Sequence, residues 1–171
     1  MSAAHLTKRF FVSLWPLGPN SEADEWAAAH LLEGELALWR RMSSQDRRHS
    51  IGVARRVVDA LGGHPAREVV AAALLHDVGK VDSQLGTFLR VVATASAKVA
   101  GRDTAELWVR SSGVTRRIGL YLKHPSIGGD LLAMAGSDHF TETWAREHHL
   151  PADECTLDSA VAHALRISDD D

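Results

Sequence analysis

The run Val69-Val70-Ala71-Ala72-Ala73-Leu74-Leu75, followed at once by His76-Asp77-Val78-Gly79-Lys80, constrains this chain more than any other segment. Seven consecutive apolar residues leave no polar face, so a helix through them has to be buried on all sides. Pro65 suits the first position of that helix, which the pattern carries over 66–77 to a stop at Gly79. A helix that is apolar all round needs others packed about it, and the rest of the sequence offers them. No stretch shows the two-residue alternation between turn dipeptides that marks strands. The expected fold class is all-α, an irregular helical bundle.

Ser21 suits an N-cap for a helix over about 21–32, with Glu22, Asp24 and Glu25 at the positive end of its dipole. A short helix over 33–42 follows. Ser43-Ser44 then caps a long helix reaching Leu61, and Gly62-Gly63 stops it. Further helices are predicted over 83–97, 115–123, 126–135, 137–148 and 157–167. Gly101-Arg102-Asp103 and Ser111-Ser112-Gly113 read as turns. Residues 1–19 hold no sustained period and end in Gly18-Pro19-Asn20, which predicts an irregular leader. The expected division is a leader with one short helix over 1–32 and a main domain over 33–171. There is no internal repeat.

A chain of 171 residues suits one such domain, and 45% hydrophobic with 24% charged residues is ordinary for a soluble globular protein. A formal charge of −3 argues against a large nucleic-acid surface or a polybasic membrane binder. The single cysteine, Cys155, cannot close an intramolecular disulfide, which fits a reducing compartment. Phe10 to Leu17 is too short, and too interrupted by Ser13 and Pro16, for a signal-peptide core, and no segment is long enough to span a bilayer. The expected location is the cytoplasm, with no membrane partner.

Ten histidines stand out, several of them where a helix ends. Adjacent His76 and Asp77 point about 100° apart on a helix, so they cannot share one narrow face. At the last turn of a buried helix, however, both can reach an ion at the helix's end. Imidazole with carboxylate suits borderline first-row ions: iron, manganese, cobalt or zinc. Gly79 lets the chain leave the helix abruptly, and Lys80 brings one positive charge to the same place.

This arrangement resembles the HD-domain metal-dependent phosphohydrolases, whose pattern is an early His, a His-Asp pair and a late Asp on helices of one bundle. The early His is His49, in Asp46-Arg47-Arg48-His49. The pair is His76-Asp77. The late Asp is Asp169, in Ala164-Leu165-Arg166-Ile167-Ser168-Asp169. The resemblance covers residues 33–171. His124-Pro125-Ser126-Ile127-Gly128 and Glu147-His148-His149 are further similar to the His-Pro-x-x-Gly segment and His-His pair of the HD-GYP branch. The branch's later Gly-Tyr-Pro is missing, and His149 is followed by Leu150-Pro151, so the marks of cyclic di-nucleotide hydrolysis are not carried over.

The resemblance implies a bundle of the HD-domain type holding one or two divalent ions. His49, His76, Asp77 and Asp169 would take one ion, and Asp77, His124, His148 and His149 the other. It implies hydrolysis of a phosphomonoester or phosphodiester, the substrate being a nucleotide or similarly small phosphorylated molecule. Asp77 would serve as ligand and as partner for the nucleophile's proton, and Lys80 would steady the phosphate. Arg56 lies seven residues after His49 and Arg117 seven before His124, two helical turns in each case, so both are candidate substrate-binding residues.

Plainer roles compete at several positions. Asp158 rivals Asp169, although Thr156-Leu157-Asp158-Ser159 reads better as a helix start. His148-His149 could supply one ligand rather than two, and Arg47 and Arg55 suit a solvated face. His5, His30, His64, His139 and His163 fit surface or cap positions. Trp15, Trp26, Trp39, Trp108 and Trp144 fit core or leader packing. Two other functions also remain open: a di-iron HD-domain oxygenase using the same ligands, and a non-catalytic module that binds a metabolite. Retention of seven potential ligands speaks against the latter.

Overall fold

The computed structural model describes residues 21–83, Leu85 and residues 102–170. The expected leader over 1–19 and nearly all of the expected helix over 83–97 lie outside them. Among the described residues there are nine α-helices and no strand, as the missing alternation predicts. They are α1 (Ser21–Ala28), α2 (Glu33–Arg41), α3 (Ser44–Ala60), α4 (Arg67–Leu75), α5 (Arg102–Val109), α6 (Gly113–Leu122), α7 (His124–Met134), α8 (His139–Glu147) and α9 (Ser159–Asp170). A short 3-10 segment, Val78–Asp82, follows α4.

The apolar run forms the centre. Val69 through Leu75 are all buried, none more than 6% exposed. α4 packs on α3 and α8, α9 covers α3, and α7 lies against α8 and the 3-10 segment. Ile51, Val53, Ala54 and Val57 from α3, Trp39 from α2, Leu132 from α7, Trp144 from α8 and Leu165 from α9 complete one continuous core. Two of the tryptophans assigned to packing, Trp39 and Trp144, are indeed among its largest buried members.

Local chemistry explains most boundaries. The Ser43 side chain accepts a hydrogen bond from the Asp46 amide at 3.1 Å and donates to Asp46 Oδ2 at 2.7 Å, capping α3. Gly62 and Gly63 take positive φ (78° and 93°) beyond its other end. Asp158 Oδ1 accepts from the amides of Ala160 and Val161 at 3.1 and 3.0 Å, so it caps α9, as its place before Ser159 suggests.

Several boundaries differ from expectation, α1 ending at Ala28 among them. α4 begins at Arg67, two residues after Pro65, and stops at Leu75, so Asp77 opens the 3-10 segment instead of closing the helix. α7 starts at His124, because Lys123 alone breaks the path from α6 (φ −92°, ψ 7°) and Pro125 falls in the first turn, where its missing N–H is harmless. The expected turn at Gly101-Arg102-Asp103 instead passes into helix at Arg102. α9 runs on to Asp170 and carries Asp169 within it.

The N-terminal end of α4 is secured by a buried carboxylate that the sequence did not flag. Glu35, fully buried, accepts from the Leu32 amide (2.7 Å), Arg67 Nη1 (2.7 Å) and Ser137 Oγ. Arg67 also pairs with Asp138 and donates to the His30 carbonyl. This network ties α2, α4 and the start of α8 together, so the opposite end of α4 is held in place. Among the described residues no helix is long and apolar enough to cross a membrane.

Loss of the Ser43 cap should be measurable. Ser43→Ala is expected to lower stability by about 1 kcal/mol, read as a shifted denaturant midpoint with an unchanged slope.

Candidate metal centre

Two helix ends and one helix junction meet at one place, and each carries a histidine held the same way. His76 caps α4 with its Nδ1 2.9 Å from the Ala73 carbonyl oxygen. His148 caps α8 with Nδ1 2.9 Å from the Ala145 carbonyl oxygen. His124, just past α6, has Nδ1 2.6 Å from the Tyr121 carbonyl oxygen. A carbonyl can only accept, so in each ring Nδ1 carries the proton and donates. The ring planes are thereby fixed and Nε2 is turned inward.

Those three Nε2 atoms are buried and have no hydrogen-bond partner among the described residues. They surround Asp77, itself only 4% exposed. Its Oδ2 lies 3.5 Å from His76 Nε2, while its Oδ1 lies 3.3 Å from His124 Nε2 and 3.8 Å from His148 Nε2. The carboxylate therefore turns one oxygen to each of two groups of donors. His49, His76 and Asp77 form one group, and His124, His148 and His149 the other, with donor atoms in each within 4.8 Å of one another. Asp169 joins the first group: its Oδ1 is 2.8 Å from His49 Nε2 and 3.5 Å from His76 Nε2. All seven residues expected as ligands are thus brought together. His149, unlike His148, is exposed and stands at the rim.

The electrostatics match a cation site. Burial alone would push His76 down, but the carboxylates of Asp77 and Asp169 outweigh it and raise its pKa to about 9. Burial would push Asp77 up, yet Lys80 and His76 hold it well below the usual carboxylate range. His124 and His148 are pushed down by burial, so they are neutral, with Nε2 lone pairs available. Carboxylate beside three buried imidazole nitrogens that make no hydrogen bond among the described residues fits a divalent ion. The residues present suit the metal group that the sequence implies.

Two glycines explain how the histidines come so close. A Cβ on Gly79 would stand 2.0 Å from the His124 carbonyl oxygen and 2.6 Å from the Gly128 amide nitrogen. A Cβ on Gly128 would in turn meet the Gly79 nitrogen at 3.2 Å. The glycine after His-Asp and the glycine after His-Pro are therefore two halves of one backbone contact, which seats α7 on the 3-10 segment.

Lys80 pairs with Asp77 Oδ2, and its ammonium lies 5.7 Å from the centre of the Tyr121 ring. Burial opposes its charge, but Asp77 prevails and its pKa is raised. Tyr121 is the residue that sequence reasoning missed; its one signal is a position three before His124. The two arginines expected to bind substrate both donate to backbone carbonyls. Arg56 Nε and Nη2 both donate to the Ser168 carbonyl, at 2.9 and 2.6 Å. Arg117 Nε donates to the Ser83 carbonyl at 3.0 Å. For Arg117 the seven-residue spacing also loses its meaning, because α6 ends at Leu122 and His124 belongs to α7. His30, His64, His139 and His163 stand outside both donor groups.

Comparison with family models, with curated proteins and with solved structures gives no match. What is shown is an all-helical protein with buried His/Asp clusters able to hold metal ions.

Gly79→Ala is expected to cost on the order of 1–3 kcal/mol and to lower metal affinity with it, since backbone atoms cannot yield; denaturant unfolding and metal titration would read both. A pH dependence follows from His76. Its pKa is raised, so in the metal-free protein it keeps its proton below about pH 9, and an ion must displace that proton. Affinity should rise roughly tenfold per pH unit while His76 is protonated and level off above that pKa. Calorimetry at pH 7.5 in buffers of different ionisation enthalpy should show at least one proton released on filling the site.

Proposed function

We propose that this chain is a metal-dependent phosphohydrolase of the HD-domain type, with ions held on either side of Asp77. The observation that carries this is the ring of three buried, unpartnered Nε2 atoms around one split carboxylate. His49, His76, Asp77 and Asp169 would hold one ion, and Asp77, His124, His148 and His149 the second. Bound divalent ions supply Lewis acidity toward a phosphoryl oxygen and make water nucleophilic near neutral pH.

The chain's own residues do the rest. Asp77 stays ionised far into acid and is the carboxylate available to hydrogen-bond an attacking water. Lys80 stays charged beside it, and a fixed cation there favours charge developing on the phosphoryl group. The buried walls formed by His76, His124 and His148 exclude bulk water, which strengthens every such interaction. The substrate class is a small phosphomonoester or phosphodiester such as a nucleotide, and the setting is the cytoplasm. A nitrogen-rich donor set of five imidazoles also suits iron, which keeps di-iron oxygenase chemistry as the second reading.

Metal content of anaerobically purified protein, beside His76→Ala and His148→Ala, tests the centre. Two ions in the parent and fewer in both variants are expected, together with at least a hundredfold loss of phosphoester hydrolysis. A single ion in the parent, lost in His76→Ala but kept in His148→Ala, would reduce the centre to a mononuclear one at His49, His76, Asp77 and Asp169. Oxygen-dependent consumption of an unphosphorylated compound, with no phosphoester turned over, would overturn the hydrolase reading.

A further inference from the structure

Arg56 was set beside His49 by spacing, yet its guanidinium does not point at open space. It donates twice to the carbonyl of Ser168, the residue immediately before Asp169. Ser168 lies in the last turn of α9, where carbonyls have no amide one turn further on within the helix. A carboxylate at that end of a helix meets the negative pole of the dipole. Asp169 is therefore poorly placed by its own helix, and a cation on the adjacent carbonyl offsets that.

The rest of α3 is shaped for the contact. Side chains tilt toward the N-terminus of their helix, so Arg56 lies back along α3 in the direction of His49. Gly52 stands between them, and a Cβ there would be 3.4 Å from Arg56 Nη1, with no other atom near. One helix thus grips two successive residues of α9: Arg56 takes the Ser168 backbone, and His49 takes the Asp169 side chain at 2.8 Å.

We propose that Arg56 is a positioning residue for the metal centre, holding the end of α9 so that Asp169 faces the His49 and His76 imidazoles. This role rests on the metal-centre reading above, and it replaces direct contact between Arg56 and substrate. It acts first on the donor group that Asp169 joins, because Arg56 touches the residue next to Asp169 and His124, His148 and His149 are held by other segments.

The test is Co²⁺ titration of the full-length, metal-free protein, followed by calorimetry and by the visible absorption of the bound ion. Parent, Arg56→Ala, Arg56→Lys, Asp169→Ala and the Arg56→Ala/Asp169→Ala double variant are compared. Arg56→Ala is expected to weaken, by about 10–100-fold, the same ion whose binding Asp169→Ala impairs, and to alter its absorption. The ion held by His124, His148 and His149 should bind as before. Arg56→Lys, which keeps the charge and a donor, should recover part of the loss. In the Asp169→Ala background, Arg56→Ala should add nothing, because its effect passes through that carboxylate. Unchanged Co²⁺ binding in Arg56→Ala, equal weakening of both ions, or a full additive loss in the double variant would each overturn the role while leaving the metal centre standing. A parent that binds no Co²⁺ would overturn the centre and this role together.

Discussion

A carboxylate shut away from water has to be neutralised by what surrounds it, and Asp77 is where that requirement falls. It is buried among three imidazoles and an ammonium, each delivered by a different piece of backbone. Uncompensated, such a charge would cost several kcal/mol. The ends of α4, α6 and α8, the start of α7 and the 3-10 segment must therefore arrive together or the site does not form.

The bundle meets this demand by building the site from helix ends. Residues on a helix face are interchangeable over several turns, whereas an end occurs once and brings carbonyls that need donors. Here those carbonyls orient the rings, the Gly79–Gly128 contact sets the distance between two of the ends, and the Glu35–Arg67 network holds the far end of α4. The apolar run from Val69 to Leu75 contributes no chemistry. It supplies the one rigid axis about which the donors are registered.

Much of this was legible in the sequence. Seven apolar residues ending in His-Asp announced a buried helix with its chemistry at the tip, and Asp158 announced itself as a cap through the serine after it. The seven candidate ligands came from the family resemblance of the His-Asp, His-Pro and His-His groups taken with His49 and Asp169, and the fold brings all seven to one place. What stayed hidden depends on contacts distant in sequence. Glu35 looks like any first-turn acid until Arg67 and Ser137 converge on it. Arg56 and Arg117 look like free cations until carbonyls 112 and 34 residues away in the chain claim their donors. Periodicity assigns a side chain to a face, and it cannot say which neighbour already occupies that face.

The three inward Nε2 atoms have a consequence for how the chain endures. Each is shut away from water without a well-formed hydrogen bond among the described residues, a burden of about 1–3 kcal/mol apiece that the nearby carboxylates offset only in part. Apolar residues in all of these places would lift that burden only if a neutral residue also replaced Asp77, whose buried charge they now face. Stability and purpose thus pull in opposite directions at His76, His124 and His148, and nowhere in the core built on α4. A lineage that needed this chain only for its shape would shed these histidines and Asp77 together.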